Sequence, residues 1–139
     1  MTTTQVRTID KSLQKAFNLL DELKESLGYE TRQEAFVALR AVLKTLRDRM
    51  PVGEATDFAS QLPLLLKGIY YDGWKPKGEP VRLRSSAEFL GYVNEQINDT
   101  MEPEKVTWHV FKVLKNHISE GEIEDIIANM PSDMKAFFK

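Results

Sequence analysis

Apolar residues return every three or four positions along most of this chain, and that spacing predicts amphipathic helices. Leu13, Ala16, Phe17, Leu20, Leu23 and Leu27 form one stripe, closed by Gly28, a residue type that ends helices in the left-handed conformation. A second stripe runs through residues 36, 39, 43, 46 and 50, and a Thr-x-x-Glu capping box at Thr31 and Glu34 marks its start. The third, at residues 55, 58, 59, 62, 66 and 69, passes through Pro63 without losing phase. Proline removes a backbone donor and clashes with the preceding turn, so a kink or a fresh helix near Gln61 is expected. Phe89, Val93 and Ile97, with Tyr92 alongside, predict a further helix capped at Ser85. The last stripe joins Ile123, Ile126, Ile127, Met130, Met134 and Phe137, entered through a Ser-x-x-Glu box at Ser119 and Glu122. No alternating pattern long enough for a strand survives elsewhere.

The chain also repeats itself. Shifted by 68 residues, Glu34 to Tyr70 aligns without a gap on Glu102 to Phe138, with nine identical positions. These include Gly53/Gly121, Glu54/Glu122, Asp57/Asp125 and Pro63/Pro131, and several mismatches exchange one apolar residue for another. The leading helices match only loosely. The expected architecture is all-α, a bundle of six or seven helices built from two pseudo-repeats of a three-helix unit. Residues 1–139 read as a single helical domain, with one pseudo-repeat over 8–71, a linker over 72–84 and the other over 85–139. Two glycines and two prolines between Asp72 and Leu83 break any helical period and mark that linker.

Composition narrows the field. A 139-residue chain is long enough to bury a real core without staples. It contains no cysteine, which removes disulfides and thiolate metal sites. Neither a secretory leader nor a membrane-spanning apolar run is apparent, so a cytoplasmic location with no membrane partner is expected. A net charge of -2 makes whole-molecule attraction to nucleic acid unfavourable, leaving only a local patch to attract it.

The search for chemistry returns little. His109 and His117 are the only histidines, and eight helical residues separate them by about 12 Å, too far for one metal. No phosphate-binding glycine loop, nucleophile elbow or zinc-protease string is present. The sequence therefore names no catalytic residue, no metal ligand and no cofactor. Glu54/Glu122 and Asp57/Asp125 resemble an acid and base pair, but the expected role is favourable placement of negative charge at helix starts. The most distinctive surface candidate is the tract from Lys67 to Arg84. Its basic residues Lys67, Lys75, Lys77, Arg82 and Arg84 are interleaved with Tyr70, Tyr71 and Trp74. Tyr71, Trp74, Lys75, Lys77, Arg82 and Arg84 are the candidate partner-binding surface. The alternative is that Tyr70 and Trp74 pack inward and hold the linker on the bundle. From Ser119 to Asp133 there are five acids and no base, so the two tracts have the signs to attract each other.

The segment from Val42 to Leu90, with Gly-Glu-Ala at Gly53, Gln-Leu-Pro at Gln61 and Tyr-Tyr-Asp-Gly-Trp at Tyr70, is followed by Gly-Glu-Ile-Glu-Asp at Gly121. In these motifs the chain resembles a bacterial family of helical proteins, the domain of unknown function numbered two-two-six-seven. The resemblance runs from the second helix onward, implies a helical fold and supplies no catalytic residue. The leading functional expectation is a non-enzymatic module for protein interaction or self-association, using the linker region or a groove between the halves. Alternatives are nucleic-acid binding through residues 67–84, aided by a helix-turn-helix-like stretch from Thr31 to Met50, and a ligand carrier or enzyme with a pocket between the repeats.

Overall fold

The computed structural model describes residues 3–76 and 78–138, and it is all-α: seven α-helices and a closing 3-10 segment, with no strand among the described residues. Helix α1 (Arg7–Leu27) ends where Gly28 takes a φ of 73°, letting the amides of Gly28 and Tyr29 close on the carbonyls of Glu25 and Lys24. Helix α2 (Arg32–Arg49) opens on the full capping box: the Thr31 hydroxyl accepts from the Glu34 amide, and the Glu34 carboxylate accepts from the Thr31 amide. Short helices α3 (Val52–Ala59) and α4 (Leu64–Tyr71) follow. The proline question resolves as a break, because helix ends at Ala59 and Pro63 becomes the residue flanking the start of α4. A first-turn amide of α4, that of Leu65, donates to the Ser12 hydroxyl of α1 at 2.8 Å, which supplies the partner that the helix start lacks.

After the linker come α5 (Ser86–Asn94), α6 (Pro103–Leu114) and α7 (Glu120–Ala128), then the 3-10 segment Ser132–Phe138. Ser85 and Ser119 each accept from the amide three residues on, capping α5 and α7. The two leading helices differ in kind, with 21 residues in α1 and nine in α5. The last element also differs from α4, since it is wound as a tighter 3-10 helix. It is tied to the start of α5 by the Asp133 carboxylate, which accepts from the amide and hydroxyl of Ser86.

Helix α2 is the axis of the molecule. A single apolar stripe would bury one side, yet Ala35, Val37, Ala38, Leu39, Ala41, Val42, Leu43, Thr45 and Leu46 are all buried. Helices α1, α3, α4, α5 and α6 pack around it. Three alanines explain how: a side chain of one carbon lets neighbouring helices approach on faces that a leucine would hold apart. The buried apolar residues form one connected cluster drawing on both sides of the linker, from Leu19 and Leu39 to Phe89, Phe111 and Ile126. Burial of this apolar surface is the main driving force of folding.

Candidate functional site

The C-terminal end of α2 organises the surface on which the linker lies. Arg47 is buried, and its guanidinium spends itself on the chain that follows α4. One terminal nitrogen donates to the carbonyls of Tyr70 and Asp72 at 3.0 and 2.8 Å, and Nε donates to the Asp48 carboxylate at 2.8 Å. The other Asp48 oxygen accepts from the Tyr92 hydroxyl at 2.5 Å, and the Asp48 carbonyl accepts from the Val81 amide at 2.8 Å. A residue pair on α2 thereby pins both ends of the linker and fastens it to α5. Arg49, two residues on, donates to the carbonyls of Leu83 and Asn129, joining the linker to the chain after α7.

Burial, followed by the hydrogen bond to Asp48, pushes the Tyr92 phenol up to about 12. The folded state holds this group neutral. Its stabilising contribution is complete below the ordinary tyrosine range, near about pH 10, and is lost as pH rises through the folded value. Unfolding curves taken between those limits should therefore show the native chain losing stability faster than Tyr92→Phe. Parallel loss in the two proteins would remove the phenol from this network.

The linker so held makes a cleft of about 230 Å³ with α2 and the start of α3. Trp74 forms part of its wall. The indole is half-buried, stacked on Tyr71 with ring centroids 5.4 Å apart, and Tyr71 in turn meets the Tyr70 ring edge-on. Gly73, with a φ of 76°, supplies the left-handed turn that brings Trp74 back over Tyr71. Met50, Val52, Pro76, Pro80 and Val81 complete the apolar lining, and Val52 and Val81 remain 46% and 38% exposed. Trp74 thus has one face against Tyr71, which secures the linker, and also lines an accessible cleft. Tyr70 is different, being fully buried with its hydroxyl donated to the Ala55 carbonyl.

Two more depressions adjoin this cleft. Met50 is shared with a recess of about 280 Å³ between α3 and α7, lined by Glu54, Asp57, Glu122 and Asp125. Burial, then the charges of Asp125, Asp57 and Glu54, raise the Glu122 carboxyl above its ordinary range. One Glu54 carboxylate oxygen is buried without a hydrogen-bond partner. Val81 and Pro80 are shared with a broader basin of about 560 Å³ that carries Arg82 and Arg84, and Asn129 lies in both this basin and the acidic recess. One continuous face therefore presents a mixed cleft, in which Arg47, Asp48, Lys75 and Glu79 stand beside the apolar residues, a negative recess and a positive rim.

Of the six residues singled out from the sequence, Tyr71, Trp74, Lys75, Arg82 and Arg84 belong to this face or directly support it. Lys77 lies outside the described residues. Among the four carboxylates, the expectation of a place at helix starts holds for the two Glu residues and fails for the two Asp residues. Glu54 and Glu122 do occupy first turns, but Asp57 and Asp125 lie further along their helices, where the dipole no longer favours a negative charge. The usable signal was their recurrence at one offset in both aligned segments.

The histidines do other work. His109 and Ser26 share a hydrogen bond of 2.5 Å, while His117 pairs with Glu22, so each fastens the α6 region to α1. Burial, then Lys112 and Lys105, lower the pKa of His109. No group of three or more histidine or carboxylate side chains among the described residues is placed to hold a metal ion. Among the described residues, no helix is long and apolar enough to cross a membrane.

No curated protein matches this sequence. The match to a protein family, by contrast, spans residues 17–137 and takes in every element of the face just described. The chain belongs to the family described as an uncharacterized conserved protein, DUF2267.

Proposed function

We propose that this protein is a non-enzymatic helical interaction module, and that the face around the C-terminal end of α2 receives a protein partner. The observation that carries the reading is the junction of three depressions, one partly apolar, one acidic and one basic, at Met50, Val81 and Asn129. At about 230 Å³ the Trp74 cleft is smaller than most cofactor pockets and suits one or two side chains of a partner. Protein interfaces take most of their binding energy from a few such anchors, surrounded by charge that sets orientation. The exposed edges of Val52 and Val81 offer apolar area, while the four carboxylates beside the arginine rim weigh against nucleic acid, whose phosphates they would repel.

The test is selection of binding peptides from a displayed random library, followed by affinity measurements on variants. Ligands of this face should weaken by about tenfold or more in Trp74→Ala or Val52→Ser, and remain unchanged in Trp108→Ala, whose exposed indole lies outside the three depressions. Selected ligands indifferent to both cleft substitutions, or no ligand at all, would overturn the proposal.

A further inference from the structure

Among the described residues, the recess carboxylates and Arg84 have no ion-pair partner, although opposite signs lie side by side. None of the ion pairs among the described residues joins the recess carboxylates to a base. Arg49 is close enough to feel the Glu54 charge, yet its Nε and one terminal nitrogen donate to the carbonyls of Leu83 and Asn129. Arg82 reaches only Glu79, at 3.9 Å and largely in solvent. Arg84 is exposed and in none of these pairs.

We infer that the partner of this face is a second copy of the same chain, docked about a two-fold axis so that the Arg82 and Arg84 rim of each protomer covers the acidic recess of the other. The inference rests on the reading of this face as a binding surface. An isologous interface requires one patch complementary to itself, which means both members of every contact must lie on the same surface. Here they do, adjoining at Asn129. The half-turn places two rim-to-recess contacts in one interface, and the exposed Val52 and Val81 supply apolar area that charge pairing alone lacks. Arginines over the recess would also offset the charges of Asp125, Asp57 and Glu54, which add to burial in raising the Glu122 carboxyl.

Sedimentation equilibrium on the intact chain, from about 1 µM to about 1 mM and at low and high salt, measures the association directly. The expected result is a monomer–dimer equilibrium weakened by salt. Asp57→Lys with Asp125→Lys, and separately Arg82→Glu with Arg84→Glu, alter exposed positions only. Each double variant should associate at least about tenfold more weakly by itself, and an equimolar mixture of the two should regain a heterodimer. A native chain that stays monomeric throughout would overturn the second copy as partner, as would variants that dimerise like the native protein. If that monomer still binds library peptides in a Trp74-dependent way, the interaction module survives and only its partner is wrong. If it binds none, both readings fall.

Discussion

Arg47→Met is expected to destabilise the fold by about 3–5 kcal/mol, the usual cost of removing one member of a buried ion pair. The side chains of Arg47 and Asp48 are 7% and 18% exposed, so water does little to compensate either one. Methionine keeps most of the volume and therefore isolates the polar loss. Three acceptors lose their donor at once: the carbonyls of Tyr70 and Asp72 and one oxygen of Asp48. The other Asp48 oxygen keeps its bond from the Tyr92 hydroxyl, while the guanidinium charge beside the carboxylate is gone. A domain of this size is stable by roughly 5–15 kcal/mol in total, so the variant should be visibly marginal. Urea unfolding with an unchanged slope and a much lower midpoint would report it. Adding Asp48→Asn should recover part of the loss, because it removes the uncompensated charge. A single variant costing under about 1 kcal/mol would show that the network does not hold the linker.

That network also marks where the sequence stops being legible. Helix positions, the caps at Thr31, Ser85 and Ser119, and the break at Pro63 follow from local rules, because each depends on residues a few positions apart. The buried sides of α1 and α3 are readable for the same reason. Arg47 is invisible to such rules. In the sequence it is one more polar residue between apolar ones, and its burial depends on carbonyls contributed from beyond α4. Its role therefore arises only once α4 has packed on α2. Ala35, Ala38 and Ala41 mislead in the opposite direction. Their low hydrophobicity hides a second buried side, which exists because small residues admit additional helices.

The candidate site divides along the same line. The linker tract was conspicuous because composition is local: aromatic rings, prolines and bases crowd into a short stretch. Which way Trp74 turns was not, since it depends on the left-handed bend at Gly73 and on the fixed ends of the linker. The acidic recess needed more still. Its four carboxylates come from α3 and α7, nearly seventy residues apart, and only the packing of those helices brings their charges together. Recurrence in sequence suggested that they mattered; the local explanation of helix capping then absorbed the Asp residues that it does not fit.

Tyr70→Ala is expected to cost about 3–5 kcal/mol, in the range of large-to-small substitutions at aromatic core positions. Its ring is fully buried and meets Phe58 and Tyr71 edge-on, each at a centroid distance of 5.4 Å. Alanine at this point leaves a void among α2, α3 and α4, and α4, already packed on both α1 and α2, cannot shift to close it without disturbing those contacts. The hydroxyl contributes separately by donating to the Ala55 carbonyl at 2.9 Å. Tyr70→Phe should therefore cost about 0.5–1.5 kcal/mol, the net contribution of one hydrogen bond, while leaving the rings in place. The pair of substitutions distinguishes two origins of the Trp74 cleft. If ring packing supports it, peptide binding at the cleft survives Tyr70→Phe under conditions where that variant is folded, because Tyr71 and Trp74 keep their stack. Loss of cleft binding in folded Tyr70→Phe would instead place control in the hydrogen bond to α3. Equal stability losses in the two variants would contradict the packing account altogether.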